Sequence, residues 1–212
     1  MNKMNISPKV FWLAKVAMLS VLAFLVSLIR FPLPLIPDFL KFDVADVPAL
    51  LGGFALGPLA GGVIVVVKNL LDIAFTGLSV GGVGQLANAV VGIALVVPAA
   101  FVYRKVKRKS VAVMGLGVGV LASMLVAAVT NYFVMIPLYA QMMPLEKIIA
   151  MMSKINPAIH GLGTYVLWGV LPFNLIRGLA HMGVALLLYK PLSPVLHAQN
   201  IKQGKLEWKK PT

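Results

Sequence analysis

The sequence predicts an all-α membrane protein: a six-transmembrane-helix bundle with both termini cytoplasmic and an outward-facing ligand pocket. Three observations predict it. Of 212 residues, 60% are hydrophobic and only 12% are charged, against roughly 45–50% and about 25% in soluble domains. The apolar residues fall in runs of membrane-spanning length, about 20 residues each. Lys and Arg gather on alternate connections between those runs, the bias that sets topology.

The first span is expected over Val10–Ile29. The segment Arg30–Val44 then carries Pro32, Pro34 and Pro37 with Asp38, Lys41 and Asp43, and prolines at that spacing break any helix. Asp46–Thr76 is too long for one span, so Gly57-Pro58 is read as dividing it into a short second helix and a third ending near Phe75. Gly77–Gly82 is a glycine-rich loop, Val83–Tyr103 the fourth span, Arg104–Lys109 a basic loop and Val111–Ile136 the fifth span. Pro137–Pro157 is expected to be a polar, Met-rich connection, with Met142–Met152 acting as an adaptable lid or interfacial packing rather than a metal site. Ala158–Leu171 is read as a shorter apolar piece on the outer surface. Pro172 suits the first turn of a helix, which gives a sixth span over Pro172–Tyr189. Residues 1–190 then form the transmembrane domain and residues 191–212 a basic tail.

Six spans place both termini on one side. That side holds Lys3, Lys9 and Lys15, the five cations from Arg104 to Lys109, and the five lysines from Lys190 to Lys210; the other holds Arg30, Lys41, Lys147 and Lys154. The excess assigns the termini to the cytoplasm. It also accounts for the net charge of +13 as juxtamembrane charge, so no nucleic-acid partner is expected. There is no cysteine, which removes disulfides, zinc–thiolate sites and thiol nucleophiles. Met1–Lys9 leads into a full-length span without a small-residue cleavage site, so no removable signal peptide is expected. Rows of small residues, Gly53, Gly57, Gly61 and Gly115, Gly119, Ser123, Ala127, let helix backbones approach closely. Packing inside the bundle is the first reading of them.

Buried polar groups are costly in a membrane and usually functional. Here they share one level. Lys68 and Asp72 lie in the outer half of the third helix, where four-residue spacing lets them pair with each other. Gln85 and Asn88 lie in the first turns of the fourth, Asn131 near the end of the fifth, and Asn174 and Arg177 in the first turns of the sixth. His181, one turn deeper, is expected to be packed and neutral. The lower halves are almost purely apolar. A channel needs a wettable lining throughout, so a pocket open to one side fits better. No phosphate-binding G-x-x-x-x-G-K-[ST] loop, H-E-x-x-H or G-x-S-x-G signature occurs, so the chain is not expected to be an enzyme or to hydrolyse ATP.

Several segments together carry a family resemblance: FPLPL at Phe31–Leu35, FLKFDVADVPAL at Phe39–Leu50, GGFALGPLAG at Gly52–Gly61, NYFVMIPLY at Asn131–Tyr139, NPAIH at Asn156–His160 and LPFNLIRG at Leu171–Gly178. The chain resembles the riboflavin-specific substrate-binding (S) components of energy-coupling factor (ECF) transporters, the RibU family, from its first span to its sixth. Arg177 stands where lysine is expected in many relatives. The resemblance implies riboflavin as transported ligand with no cofactor, and a prokaryotic plasma membrane. It implies partnership with a transmembrane coupling protein (EcfT) and two ATPases, docked through small residues of the first helix; Ala14, Ala17 and Ser20 are the candidates, with internal packing as the alternative. Riboflavin joins a flat apolar ring, edged by carbonyls and one imide N–H, to a polyhydroxyl chain. Leu40, Phe42, Tyr132 and Phe173 are candidate walls. Asn131, Asn174 and Arg177 are candidate readers of the ring edge or hydroxyls, with Lys41, Gln85 and Asn88 in the same layer. Asp43 and Asp46 are candidate hydroxyl acceptors, or caps of the second helix. A related subunit for another vitamin such as thiamine, a stand-alone facilitator and a membrane enzyme are the alternatives. The cation at Arg177 argues against a thiamine site, and no nucleophile or metal cluster supports an enzyme.

Overall fold

The computed structural model describes residues 7–32, 41–141 and 144–197. Helix α1 (Pro8–Ser27) starts where Pro8 can sit without its N–H and where the Ser7 hydroxyl accepts from Val10 N–H at 3.3 Å, a side-chain cap for an otherwise orphan donor. Two short strands, β1 (Phe31–Pro32) and β2 (Lys41–Phe42), pair antiparallel with Phe31 opposite Phe42. Helices α2 (Val47–Leu56) and α3 (Pro58–Thr76) follow, divided at Gly57, whose φ of +102° only glycine adopts without strain.

α2 and α3 form a tight hairpin about that turn. A Cβ on Gly61 would lie 3.1 Å from Gly53 Cα and 3.2 Å from the Ala49 carbonyl, so the small residues at 53 and 61 let the two backbones touch. At ten residues, α2 is about 15 Å long, half the thickness of a bilayer core. It reaches from the Gly57 turn only to the level of Lys68 on α3, where Asp46 meets it. The segment Lys41–Asp46 therefore descends into the bundle to join α2. Irregular backbone at that depth is tolerated because protein surrounds it.

A 3₁₀ turn at Ser79–Gly82 leads into α4 (Val83–Lys105), and a basic turn into α5 (Lys109–Thr130). These two helices pack most closely. A Cβ on Gly115 would lie 2.6 Å from the Ala99 carbonyl and one on Gly119 2.3 Å from the Leu95 carbonyl. The small-residue rows thus serve internal packing, except Gly57, which serves the turn.

Beyond Thr130 the structure departs from the sequence expectation. α5 continues through a π turn (Asn131–Met135), closed by Ile136 N–H on the Asn131 carbonyl, into α6 (Ile136–Ala140). The Met-rich connection contains α7 (Leu145–Ile155), and its buried Ile148 and Met152 pack with Ile136, Ile159, Tyr165 and Val170. Ala158–Leu171 is not a surface piece. Its greater part forms α8 (Leu162–Tyr165) and a second π turn (Val166–Val170), which runs directly into α9 (Leu171–His197). The sixth apolar stretch therefore runs Leu162–Tyr189. Proline lacks the N–H for the carbonyl four residues back and collides with it. In both helices the widened π turn ends two residues before a proline, Pro137 or Pro172, and the helix passes the proline without ending. α9 also continues past residue 190 to His197; residues 198–212 lie outside the described residues.

Among the described residues, five helical stretches are long and apolar enough to cross a membrane, and α2 is a shorter apolar helix among them. The main core joins α1–α5 and α9, and a second cluster sits under α7. At the end of the bundle opposite the Asn131 and Asn174 turns, Phe54 packs on Tyr103 with ring centroids 4.5 Å apart, and the hydroxyls of Tyr103 and Tyr189 lie 2.6 Å apart.

Candidate functional site

The polar residues of four helices and one loop converge at one end of the bundle, around a cavity of about 190 Å³. Its floor is ionic. Lys68 Nζ on α3 lies 2.5 Å from Asp46 Oδ1. Arg177 Nη2 on α9 lies 3.3 Å from both Asp43 Oδ1 and Asp46 Oδ2. All four side chains are buried, and two cations face two carboxylates, which is how buried charge is tolerated. Asp43 also accepts from Ala45 N–H at 3.0 Å, turning the chain into α2.

The four-residue spacing of Lys68 and Asp72 suggests an internal pair; the structure parts them. Lys68 goes to Asp46, while Asp72 binds Arg30 and receives Gln85 Nε2 at 3.3 Å. The physical reason is the α2–α3 hairpin, which brings a carboxylate on the neighbouring helix closer to Lys68 than the one on its own. Nor does Asp46 cap α2: its side chain makes no capping hydrogen bond and is spent on Lys68 and Arg177. His181 is fully buried. Its Nδ1 lies 2.7 Å from the Arg177 carbonyl, which can only accept, and its Nε2 accepts from Asp46 N–H at 3.3 Å. That pattern describes a neutral imidazole with its proton on Nδ1.

Two asparagines form a matched pair in the wall. Asn131 Nδ2 donates to the Ala127 carbonyl and Asn174 Nδ2 to the Val170 carbonyl, each at 2.8 Å and four residues back. Only the nitrogen of an amide can donate to a carbonyl, so each Oδ1 is left as the acceptor on the remaining side. Asn131 opens the first π turn, Asn174 bonds to the last residue of the second, and the two turns pack on each other. The widening of both helices beside Pro137 and Pro172 falls at the polar wall of the pocket, as π turns often do at functional sites.

Of the candidate residues, Lys41, Asp43, Asn88, Asn131, Phe173, Asn174 and Arg177 line the cavity. Asp46 lies beneath it. Phe42 is half-buried and packs against Phe31 with centroids 5.4 Å apart and rings tilted by 47°, outside the lining. Gln85 is committed to Asp72 and to the Gly77 carbonyl at 3.0 Å. Tyr132 is 41% exposed and packs on Phe133, outside the lining. Leu40 lies outside the described residues. Arg30, Met135 and Tyr139 also line the cavity, although the sequence does not single them out. Tyr139 falls in a segment that reads as a loop, and only its position eight residues after Asn131 could place it on a continuing helix. Of the candidate docking residues, Ala14 and Ala17 are exposed on α1, whereas Ser20 is buried and bonds back to the Val16 carbonyl at 2.8 Å. Positions 14 and 20 lie about 120° apart around a helix of 3.6 residues per turn, and Ser20 turns into the bundle.

Comparison with known proteins agrees with this architecture. A family model described as "ECF transporter, substrate-specific component" matches residues 12–189. The chain is 34% identical over 185 residues to "Riboflavin transporter RibU" of Staphylococcus aureus (strain TCH60), covering 87% of this chain and 91% of that one. It is 34% identical over 194 residues to "Riboflavin transporter FmnP" of Bacillus subtilis (strain 168), covering 90% and 96%. A solved structure described as "Structure and mechanism of the S component of a bacterial ECF transporter" superposes with a TM-score of 0.70 at 31% identity, covering 87% of this chain and 96% of the other. The helical bundle and the match across residues 12–189 lead to one assignment: the chain belongs to the substrate-specific (S) components of ECF transporters, a family of multi-pass membrane proteins.

Proposed function

We propose that this S component binds riboflavin from outside the cell and delivers it inward, energised by a separate module of a transmembrane coupling protein and two ATPases. As a member of a transporter family, the chain is a transport component and not an enzyme. The observation that carries the ligand is the near full-length similarity to two riboflavin transporters.

The pocket chemistry supports that ligand. Asn131 and Asn174 offer Oδ1 acceptors suited to the imide N–H of the flavin ring. The guanidinium of Arg177 spends Nη2 on the carboxylates below, which leaves other N–H groups to donate to ring carbonyls. Phe173, Met135 and Val91 supply apolar wall, and a few fixed polar groups in an apolar wall are the usual recipe for such sites. Arg30, Lys41 and Asn88 at the same cavity suit the hydroxyl chain. With Asp43 and Asp46 fully engaged by cations, the pocket has no free carboxylate among the described residues to cage a thiamine cation.

Six crossings follow if α2, with the buried segment before it, completes one passage. The 13 cations of one side against four on the other then support cytoplasmic termini, in the plasma membrane of a prokaryote. Ala14 and Ala17, exposed on α1, form the small-residue surface for the coupling protein, and membrane lipid covers the remaining apolar faces. The test is the absorption spectrum of the protein purified from riboflavin-containing medium. Flavin bands in stoichiometric amount support the reading; their absence from folded protein, even after added riboflavin and gel filtration, overturns it.

A further inference from the structure

Beneath the pocket lies a second, far smaller void of about 10 Å³. Its polar wall comes from Asp46, Ser123, Asn174, Arg177 and His181. That is about the least room that admits a single water, and a buried water typically makes about three hydrogen bonds.

Arg177, one of the lining residues, carries an unpaired donor. Arg177 is 5% exposed, its Nη2 is taken by Asp43 and Asp46, and its Nε is buried with no hydrogen-bond partner among the described residues. A buried N–H without a partner is expensive, and such groups are usually satisfied by protein or by ordered water. Acceptors stand on the opposite walls. Ser123 gives its hydroxyl hydrogen to the Val120 carbonyl at 2.8 Å, which frees its lone pairs. Asn174 gives Nδ2 to Val170, which frees Oδ1.

We propose that one ordered water occupies this void, accepting from Arg177 Nε–H and donating to Ser123 Oγ and to a second acceptor of the wall, and that Ser123 is thereby a positioning residue for Arg177. The carboxylates fix one end of the guanidinium and the water fixes the other, so the plane is set before ligand arrives. From the sequence Ser123 is only a small packing residue in the row Gly115–Gly119–Ser123–Ala127. The void gives its hydroxyl a use.

The water site stands apart from the identity of the ligand; its effect on binding rests on the riboflavin reading. The first test therefore uses ligand-free protein labelled with nitrogen-15 arginine. The Arg177 Nε–H resonance, assigned by its loss in Arg177→Lys, is expected to show a cross-peak to a long-lived water, and Ser123→Ala is expected to shift or broaden it. No water contact at that N–H overturns the site, whether or not riboflavin binds. The second test is a double-mutant cycle on riboflavin affinity. Ser123→Val, which fills the void, is expected to weaken binding about tenfold in the parent and less than about twofold in Arg177→Lys, which lacks Nε–H. Equal losses in both backgrounds overturn the positioning role. Should Ser123→Val fail to fold, Ser123→Ala, which fills nothing, carries the same cycle with an expected loss of about threefold. A water contact without riboflavin binding leaves the water site standing and removes the ligand reading instead.

Discussion

Lys68 Nζ on α3 meets Asp46 Oδ1 at the head of α2, 2.5 Å away, with side chains 4% and 1% exposed. This pair closes the open end of the α2–α3 hairpin just below the pocket. Removing one partner of a buried pair leaves an uncompensated charge and costs about 3–5 kcal/mol. Lys68→Met is therefore expected to lower unfolding stability in detergent by about that amount, and Asp46→Asn in the same chain to recover part of it. If Asp72→Asn recovered the loss and Asp46→Asn did not, the pair would be the within-helix one and the hairpin closure would be wrong.

The approach of α4 and α5 makes a sharper steric prediction. A Cβ on Gly119 would fall 2.3 Å from the Leu95 carbonyl oxygen, whereas one on Gly117 meets nothing within 4 Å. Gly119→Ala must push a backbone aside and is expected to cost about 1–3 kcal/mol, while Gly117→Ala, in open space within a helix, should hold or slightly raise the unfolding midpoint. Equal behaviour of the two variants in a thermal melt would mean that the helices are not packed as described.

Local chemistry makes much of this fold legible in the sequence. The break at Gly57-Pro58 is readable because proline starts helices well and glycine turns them. The polar layer is readable because charge inside apolar runs is rare. Partners are not readable. Lys68 and Asp72 sit at pairing distance along one helix, yet Asp46 on the adjacent helix takes the lysine, a relation that only the hairpin geometry creates. The π turns are hidden for a related reason. Pro137 and Pro172 read as helix boundaries, because an α-helix cannot pass a proline comfortably, whereas a turn one residue wider can. That single ambiguity takes Tyr139 off a helix and splits the last span in two when the sequence is read by itself.

Topology can be tested on positions the structure shows to be exposed. Ser110, after the basic turn, and Lys147, on α7, are both exposed. Single cysteines there, in a chain with no native cysteine, are expected to react with a membrane-impermeant maleimide from opposite sides, position 147 from outside in intact cells and position 110 only after permeabilisation. Labelling of both from one side would refute six crossings.

Coupling to the energising module should depend on the exposed small face of α1. Small side chains permit close helix contact in lipid, so Ala14→Trp with Ala17→Trp is expected to abolish riboflavin uptake in cells holding the coupling module while purified protein still binds riboflavin. Ser20→Trp should behave differently and damage folding, because Ser20 is buried in the bundle. If Ala14→Trp with Ala17→Trp destroyed binding as well as uptake, that face would be internal packing.

The central claim is that the cavity framed by Asn131, Asn174 and Arg177 holds riboflavin, and the most direct measurement is a riboflavin titration of the purified chain followed by tryptophan fluorescence. Flavins absorb where tryptophan emits, so binding should appear as saturable quenching that neither thiamine nor biotin reverses. Asn174→Ala and Arg177→Ala should each weaken the affinity by about 1–3 kcal/mol, the worth of a buried hydrogen bond left unmade, and Arg177→Lys should restore part of the loss by returning the charge without the planar fork. Folded protein that fails to bind riboflavin, or that binds it with unchanged affinity in all three variants, would contradict the account.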